Sequence, residues 1–123
     1  MEIRRLPDGE LEVMQALWAC GAPAARKDIE EILFVSHPMA MTTLLTLLTR
    51  LEEKGFLSIR KEGRRSLYTP LITREDYQAA QSKRFVDRVC CGSMSAFANA
   101  LCRSGLSQAE LAELRELLER RPL

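Results

Sequence analysis

Leucines at 44, 47, 48 and 51 are spaced i, i+3, i+4, i+7, so a helix containing them turns one apolar stripe inward. The segment that carries them, Met41-Thr-Thr-Leu-Leu-Thr-Leu-Leu-Thr-Arg-Leu-Glu-Glu-Lys-Gly55, ends on a glycine placed for a left-handed cap. Two strand-like runs follow, Phe56 to Ile59 and Leu67 to Thr69, joined by Arg60-Lys-Glu-Gly-Arg-Arg65. Within that joint, Glu62-Gly63 suits a turn with a positive backbone angle. Two strands are marginal alone, so they must lean on helices. A helix followed at once by a basic-tipped hairpin is the winged-helix arrangement, in which the helix reads duplex DNA and the hairpin holds its backbone.

The other side of that helix is unusual. Opposite the leucines fall Thr42, Thr46, Thr49 and Glu53, with Thr43 and Arg50 on one flank and Leu45 on the other. Threonine loses rotamer freedom in a helix, so four on one outer face cost stability without a packing gain. DNA reading explains the cost: a hydroxyl can bond a phosphate or base edge, and a methyl can touch thymine. Thr42, Thr43, Leu45, Thr46, Thr49 and Arg50 are therefore the expected reading residues, and Arg60, Lys61, Arg64 and Arg65 the phosphate clamp. Charge agrees. The whole chain carries only +1, yet residues 42–65 hold six basic and three acidic side chains, whereas residues 1–35 hold four and seven.

Before this segment, Asp8 is placed as an N-cap for a helix whose Leu11, Met14, Leu17 and Trp18 form a stripe ending at Gly21. A second helix is expected over 24–34, with Ala25, Ile29, Ile32 and Leu33 inward and Arg26, Lys27, Glu30 and Glu31 in water. After Pro70 the pattern is helical only. Thr73-Arg-Glu-Asp76 resembles a capping box and opens a helix to about Cys91. Gly92 interrupts, residues 93–103 form another helix, and Ser107-Gln-Ala-Glu110 caps the last, with Leu106 and Leu111 as a hydrophobic staple. The expected fold is mainly α with a small β-hairpin: a winged-helix domain over 1–72 and a helical dimerisation region over 73–123. The tail helices bury their apolar faces poorly alone, and a two-fold dimer solves that. Phe85, Val89, Phe97, Leu101, Leu111, Leu114 and Leu118 are the expected dimer contacts.

Chemistry finds few footholds. One histidine, no glycine-rich phosphate loop and no clustered ligands leave no catalytic constellation, no metal site and no cofactor to expect. Cys20, Cys90, Cys91 and Cys102 lack disulfide or metal spacing, which suits buried thiols in a reducing cytosol. No apolar run reaches membrane-span length and no signal-peptide pattern opens the chain, so a cytoplasmic protein without membrane insertion is expected.

Several pieces in order carry a resemblance. Leu11-Glu-Val-Met-Gln-Ala-Leu-Trp18, then Thr43, Thr46 and Leu48-Thr-Arg-Leu51, then Gly55-Phe-Leu57, then Arg60-Lys-Glu-Gly-Arg64 with Tyr68-Thr-Pro70, are followed by Phe85, Gly92, Met94 and Ala112-Glu-Leu-Arg-Glu-Leu117. This succession resembles the penicillinase-repressor family of bacterial transcriptional regulators. The resemblance implies a homodimeric repressor on a palindromic operator, of the kind that controls β-lactam-resistance operons. It also implies release by proteolysis near Ala100-Leu101, under a membrane sensor and protease pathway. The Asn-Phe pair of well-known members is absent at that point, and Leu45 stands where a basic residue is common. The CxC motifs of a copper-responsive branch are absent too. Two other readings stay open: a protein-interaction module docking through Leu45 and the threonines, and a repressor gated by a small molecule or redox signal near Phe85, Phe97 and Cys102. Salt separates the first from DNA binding, because phosphate contacts weaken steeply as salt rises.

Overall fold

Pro7 fixes the backbone from which the first helix starts, and the computed structural model, which describes residues 2–121, runs α1 over Asp8–Cys20. Pro7 rather than Asp8 is the N-cap, with no side-chain cap bond, because Asp8 already has helical geometry. Gly21, at φ +78, ends α1. The expected second helix starts two residues late. Ala24–Ala25 form a short strand, β1, and α2 spans Arg26–Ser36 with the Asp28 carboxylate accepting from the Ala25 N–H at 3.1 Å. After a break, α3 runs Met41–Glu53.

Leu51 closes α3 through two backbone bonds: the Phe56 N–H donates to the Leu51 carbonyl at 2.9 Å and the Gly55 N–H to that of Glu52 at 3.0 Å. This is a Schellman cap, and Gly55 takes the left-handed position at φ +80. The chain then turns straight into β2, Leu57–Glu62, which pairs antiparallel with β3, Arg65–Pro70. Both strands run past the expected ends, through the charged residues as far as the Glu62–Arg65 pair. The apolar alternation stops at Ile59, but cross-strand hydrogen bonding continues where both faces are wet. Only Gly63 and Arg64 remain as the loop, with Gly63 at φ +66 in the first position, as a tight hairpin requires. β1 adds to the far side of β3, pairing Ala24 with Tyr68 and Ala25 with Leu67, so the sheet order is β1-β3-β2.

Val13, Met14 and Leu17 of α1, Ile29 and Leu33 of α2, and Leu44, Leu48 and Leu51 of α3 share one core with Phe56, Leu57, Tyr68, Ile72 and Tyr77. Each fully buried side chain of this size stabilises by about 1.5–3 kcal/mol. Trp18 is a packing residue whose indole N–H donates to the Ile72 carbonyl at 2.9 Å.

Beyond the sheet come α4 (Arg74–Arg88), α5 (Met94–Arg103) and α6 (Gln108–Arg120). The chain divides into two units between Ala80 and Gln81, inside α4. Tyr77 ties the first turn of α4 to the first unit: its hydroxyl accepts from the Leu6 N–H at 2.9 Å, and its ring packs edge-on against Phe56. Thr73 caps α4, accepting from the Asp76 N–H. The helix ends at Arg88, three residues before the expected Cys91, which sits at φ +53 ahead of Gly92 at φ +77. Ser93 caps α5, and Ser107 with Glu110 forms the reciprocal box that starts α6.

Candidate nucleic-acid interface

The packing of α3 decides which of its residues face outward. Leu44, Leu48 and Leu51 lie in the core and Leu47 is half-buried, which turns Thr42, Thr43, Thr46, Thr49 and Arg50 to solvent. Leu45 is 38% exposed. Two threonine hydroxyls are already committed: Thr46 donates to the Thr42 carbonyl at 2.9 Å, and Thr49 to the Leu45 carbonyl at 3.0 Å. A hydroxyl so bonded has spent its only proton and offers lone pairs and a methyl. Of the contacts expected of these threonines, Thr46 and Thr49 can accept from a base edge or touch a thymine methyl as they stand, while bonding a phosphate needs the proton they have spent.

Two carboxylates fix the orientation of α3. Glu10 of α1, 3% exposed, pairs with the Lys54 ammonium at the end of α3. Glu52 accepts from the Ile59 N–H of β2 at 3.3 Å, joining the helix to the outer edge of the hairpin. α3 is thus held to α1 by one carboxylate and to the hairpin by the other.

The basic residues of the hairpin do not all sit at its tip. Arg60 and Lys61 belong to β2 and Arg65 to β3, and only Arg64 lies in the loop. Arg60 contacts Glu62 at 3.4 Å and pairs with Leu67 across the strands. Lys61 shares its face with Ser66 and looks into an open groove, where Arg64, Arg65 and Tyr68 face Leu45 of α3. The opposite wall is the start of α2: Ala25, Arg26, Lys27 and Asp28. Periodicity alone marks Arg26 and Lys27 as wetted scaffold, yet both line this groove. Their position at a helix start, one element ahead of α3, is the available signal, because in helix-turn-helix geometry the first helix crosses the backbone. Five basic side chains and one acidic one, Asp28, thus line the groove that Leu45 enters.

In the second unit, Phe85 and Phe97 meet edge to face with centroids 6.1 Å apart. Val89 and Leu118 are 67% and 64% exposed, and Leu101, Leu111 and Leu114 are half-buried. Ala100 and Leu101 lie within helical turns of α5. Cys90 is buried, while Cys91 and Cys102 are exposed. The Cys20 thiol is pushed above its ordinary value by burial and by the negative charges of Asp28 and Glu31, which disfavours its thiolate. Among the described residues, no group of three or more His, Cys, Asp or Glu is placed to hold a metal, and no single helix is long and apolar enough to cross a membrane.

Known proteins match this architecture over most of its length. The family model described as penicillinase repressor matches residues 6–120. The penicillinase repressor of Bacillus licheniformis is 35% identical over 119 residues, spanning 96% of this chain and 92% of that protein. The methicillin resistance regulatory protein MecI of Mammaliicoccus sciuri is 32% identical over 117 residues, 94% of each. Among solved structures, the DNA binding domain of the repressor BlaI aligns with a TM-score of 0.53 at 36% identity, over 63% of this chain and 94% of that one. The monomeric form of Bacillus licheniformis BlaI in complex with the blaP half-operator aligns at 0.51 and 36% identity, over 62% and 92%. The order of elements, the hairpin after α3 and the family match over residues 6–120 place the chain in the penicillinase repressor family.

Proposed function

We propose that this chain is a transcriptional repressor that binds double-stranded operator DNA, with the outer face of α3 in the major groove. The carrying observation is the groove lined by Arg26, Lys27, Lys61, Arg64 and Arg65 together with Leu45. Phosphates on either side of a groove-inserted helix meet those cations, while Thr42, Thr43, Thr46 and Arg50 address base edges. BlaI, a relative in sequence and fold, has been solved on a half-operator, which supports the same docking here.

The reading includes a homodimer on an inverted-repeat operator. Exposed Val89 and Leu118, with half-buried Leu111 and Leu114, give the second unit apolar surface that a second copy covers. Release by a sensor and protease pathway is the remaining part. Ala100–Leu101 is helical, so scission there needs local unwinding of α5.

Selection of duplexes from a random pool by the full-length protein tests the function. The expected result is an inverted repeat whose affinity falls steeply with salt. Absence of any preferred duplex at low salt overturns the reading, and salt-insensitive attachment to a protein instead of DNA replaces it.

A further inference from the structure

The hydroxyl protons of Thr46 and Thr49 are engaged inside α3, and that changes what the helix can read. Thr42, Leu45, Thr46 and Thr49 stand at i, i+3, i+4, i+7, a single outward stripe. Two of its three hydroxyls are turned to the helix's own carbonyls at 2.9 and 3.0 Å. From Leu45 onward the stripe consequently presents one leucine side chain, threonine methyls and acceptor lone pairs, and Thr42 at its start keeps a hydroxyl proton. Leu45 stands among the polar residues of this face, 38% exposed, in the groove rimmed by Lys61, Arg64 and Arg65.

Base edges differ in what they offer such a surface. Guanine presents only acceptors, N7 and O6, in the major groove, and Leu45, Thr46 and Thr49 have no proton to give them. Thymine presents its 5-methyl group, and adenine and cytosine present amino donors. We infer that Leu45 and Thr46 select operator half-sites through thymine 5-methyl groups, Leu45 by apolar contact and Thr46 by its methyl together with an acceptor for a neighbouring amino group. This rests on the DNA-binding function proposed above and names the base chemistry of that same surface. Arg50 on the flank and the uncommitted hydroxyls of Thr42 and Thr43 are the donors left for guanine, and the wing cations hold phosphates without reading bases.

Deoxyuridine isolates the methyl, since it pairs like thymidine and lacks only that group. The full-length protein is titrated against its selected duplex and against copies carrying dU in place of dT at single positions in each half-site. One or two positions are expected to lose about three- to tenfold in Kd, the value of one buried methyl. Leu45→Ala should bring the dT-to-dU ratio at its position close to one, and Thr46→Ser, which keeps the hydroxyl and removes the methyl, should do the same at the neighbouring position. Arg64→Ala should weaken both duplexes alike and leave the ratio unchanged, which separates base reading from general loss of affinity. Circular dichroism of each variant confirms an intact helix. Selective binding that ignores dU at every position, or a ratio that survives both Leu45→Ala and Thr46→Ser, overturns this inference and leaves the DNA-binding function standing. Failure to select any duplex overturns both.

Discussion

Individual side chains in this protein act mainly by holding or by surrounding. Glu10 holds: 3% exposed, it faces Lys54, and together they pin the end of α3 to α1. Replacing Glu10 with alanine leaves the ammonium short of its partner. The expected cost is about 2–3 kcal/mol, below the roughly 3–5 typical of fully buried pairs because Lys54 keeps some water. Urea unfolding measures it, and a cost under about 0.5 kcal/mol places the pair among weak surface bridges. Arg64 and Arg65 surround. Changing both to alanine should weaken binding to every duplex and flatten the plot of log Kd against log salt by about 2, one phosphate contact each. An unchanged slope removes the wing from the backbone contacts.

Elements keep their shape through a few local rules, and α6 depends on them most. Leu111 and Leu114 are only half-buried, so packing lends the helix less than the core lends α3. Its start is secured by Ser107, whose hydroxyl accepts from the Glu110 N–H at 3.1 Å while the Glu110 carboxylate accepts from the Ser107 N–H at 2.8 Å. Those bonds, the backbone one foremost, hold the Glu110 carboxyl below its ordinary value of 4.5. A lowered carboxyl stabilises the folded form above that value, and the gain is lost as pH falls through the folded-state value. Helicity measured by circular dichroism should therefore drop on acidification below about pH 4.5, and Glu110→Gln should remove part of that drop. Because the carboxylate is in solvent, the effect is small and shrinks with salt. Identical titrations for the variant and the parent chain take the capping box out of the acid response.

At the scale of the whole molecule, the two units face different demands. The first closes its own core around Phe56, Met14 and Leu17, all nearly inaccessible, whereas no large hydrophobic residue of α5 or α6 is fully buried. A second copy is the proposed remedy. Leu114→Asp should convert a sedimenting dimer to monomer and lower affinity for a two-half-site duplex by about a hundredfold or more, since linked half-sites multiply affinity. Affinity for a single half-site should stay unchanged. A dimer that persists moves the interface off that face of α6.

Much of this was readable from residue order. The leucine stripe of α3, the Gly55 cap, the hairpin turn at Gly63 and the Ser107–Glu110 box are set by contacts within a few positions, and periodicity or local hydrogen bonding states them directly. Other features waited for distant partners. β1 is two residues long and exists because β3 offers a free edge, so no pattern in Ala24–Ala25 announces it. Arg26 and Lys27 face the groove only because α2 begins opposite the wing. Whether a threonine keeps its proton for a ligand depends on a rotamer that residue order leaves open, and at Thr46 and Thr49 the folded helix takes it. Local geometry wrote the elements, and long-range packing chose which of their atoms are left to meet a partner.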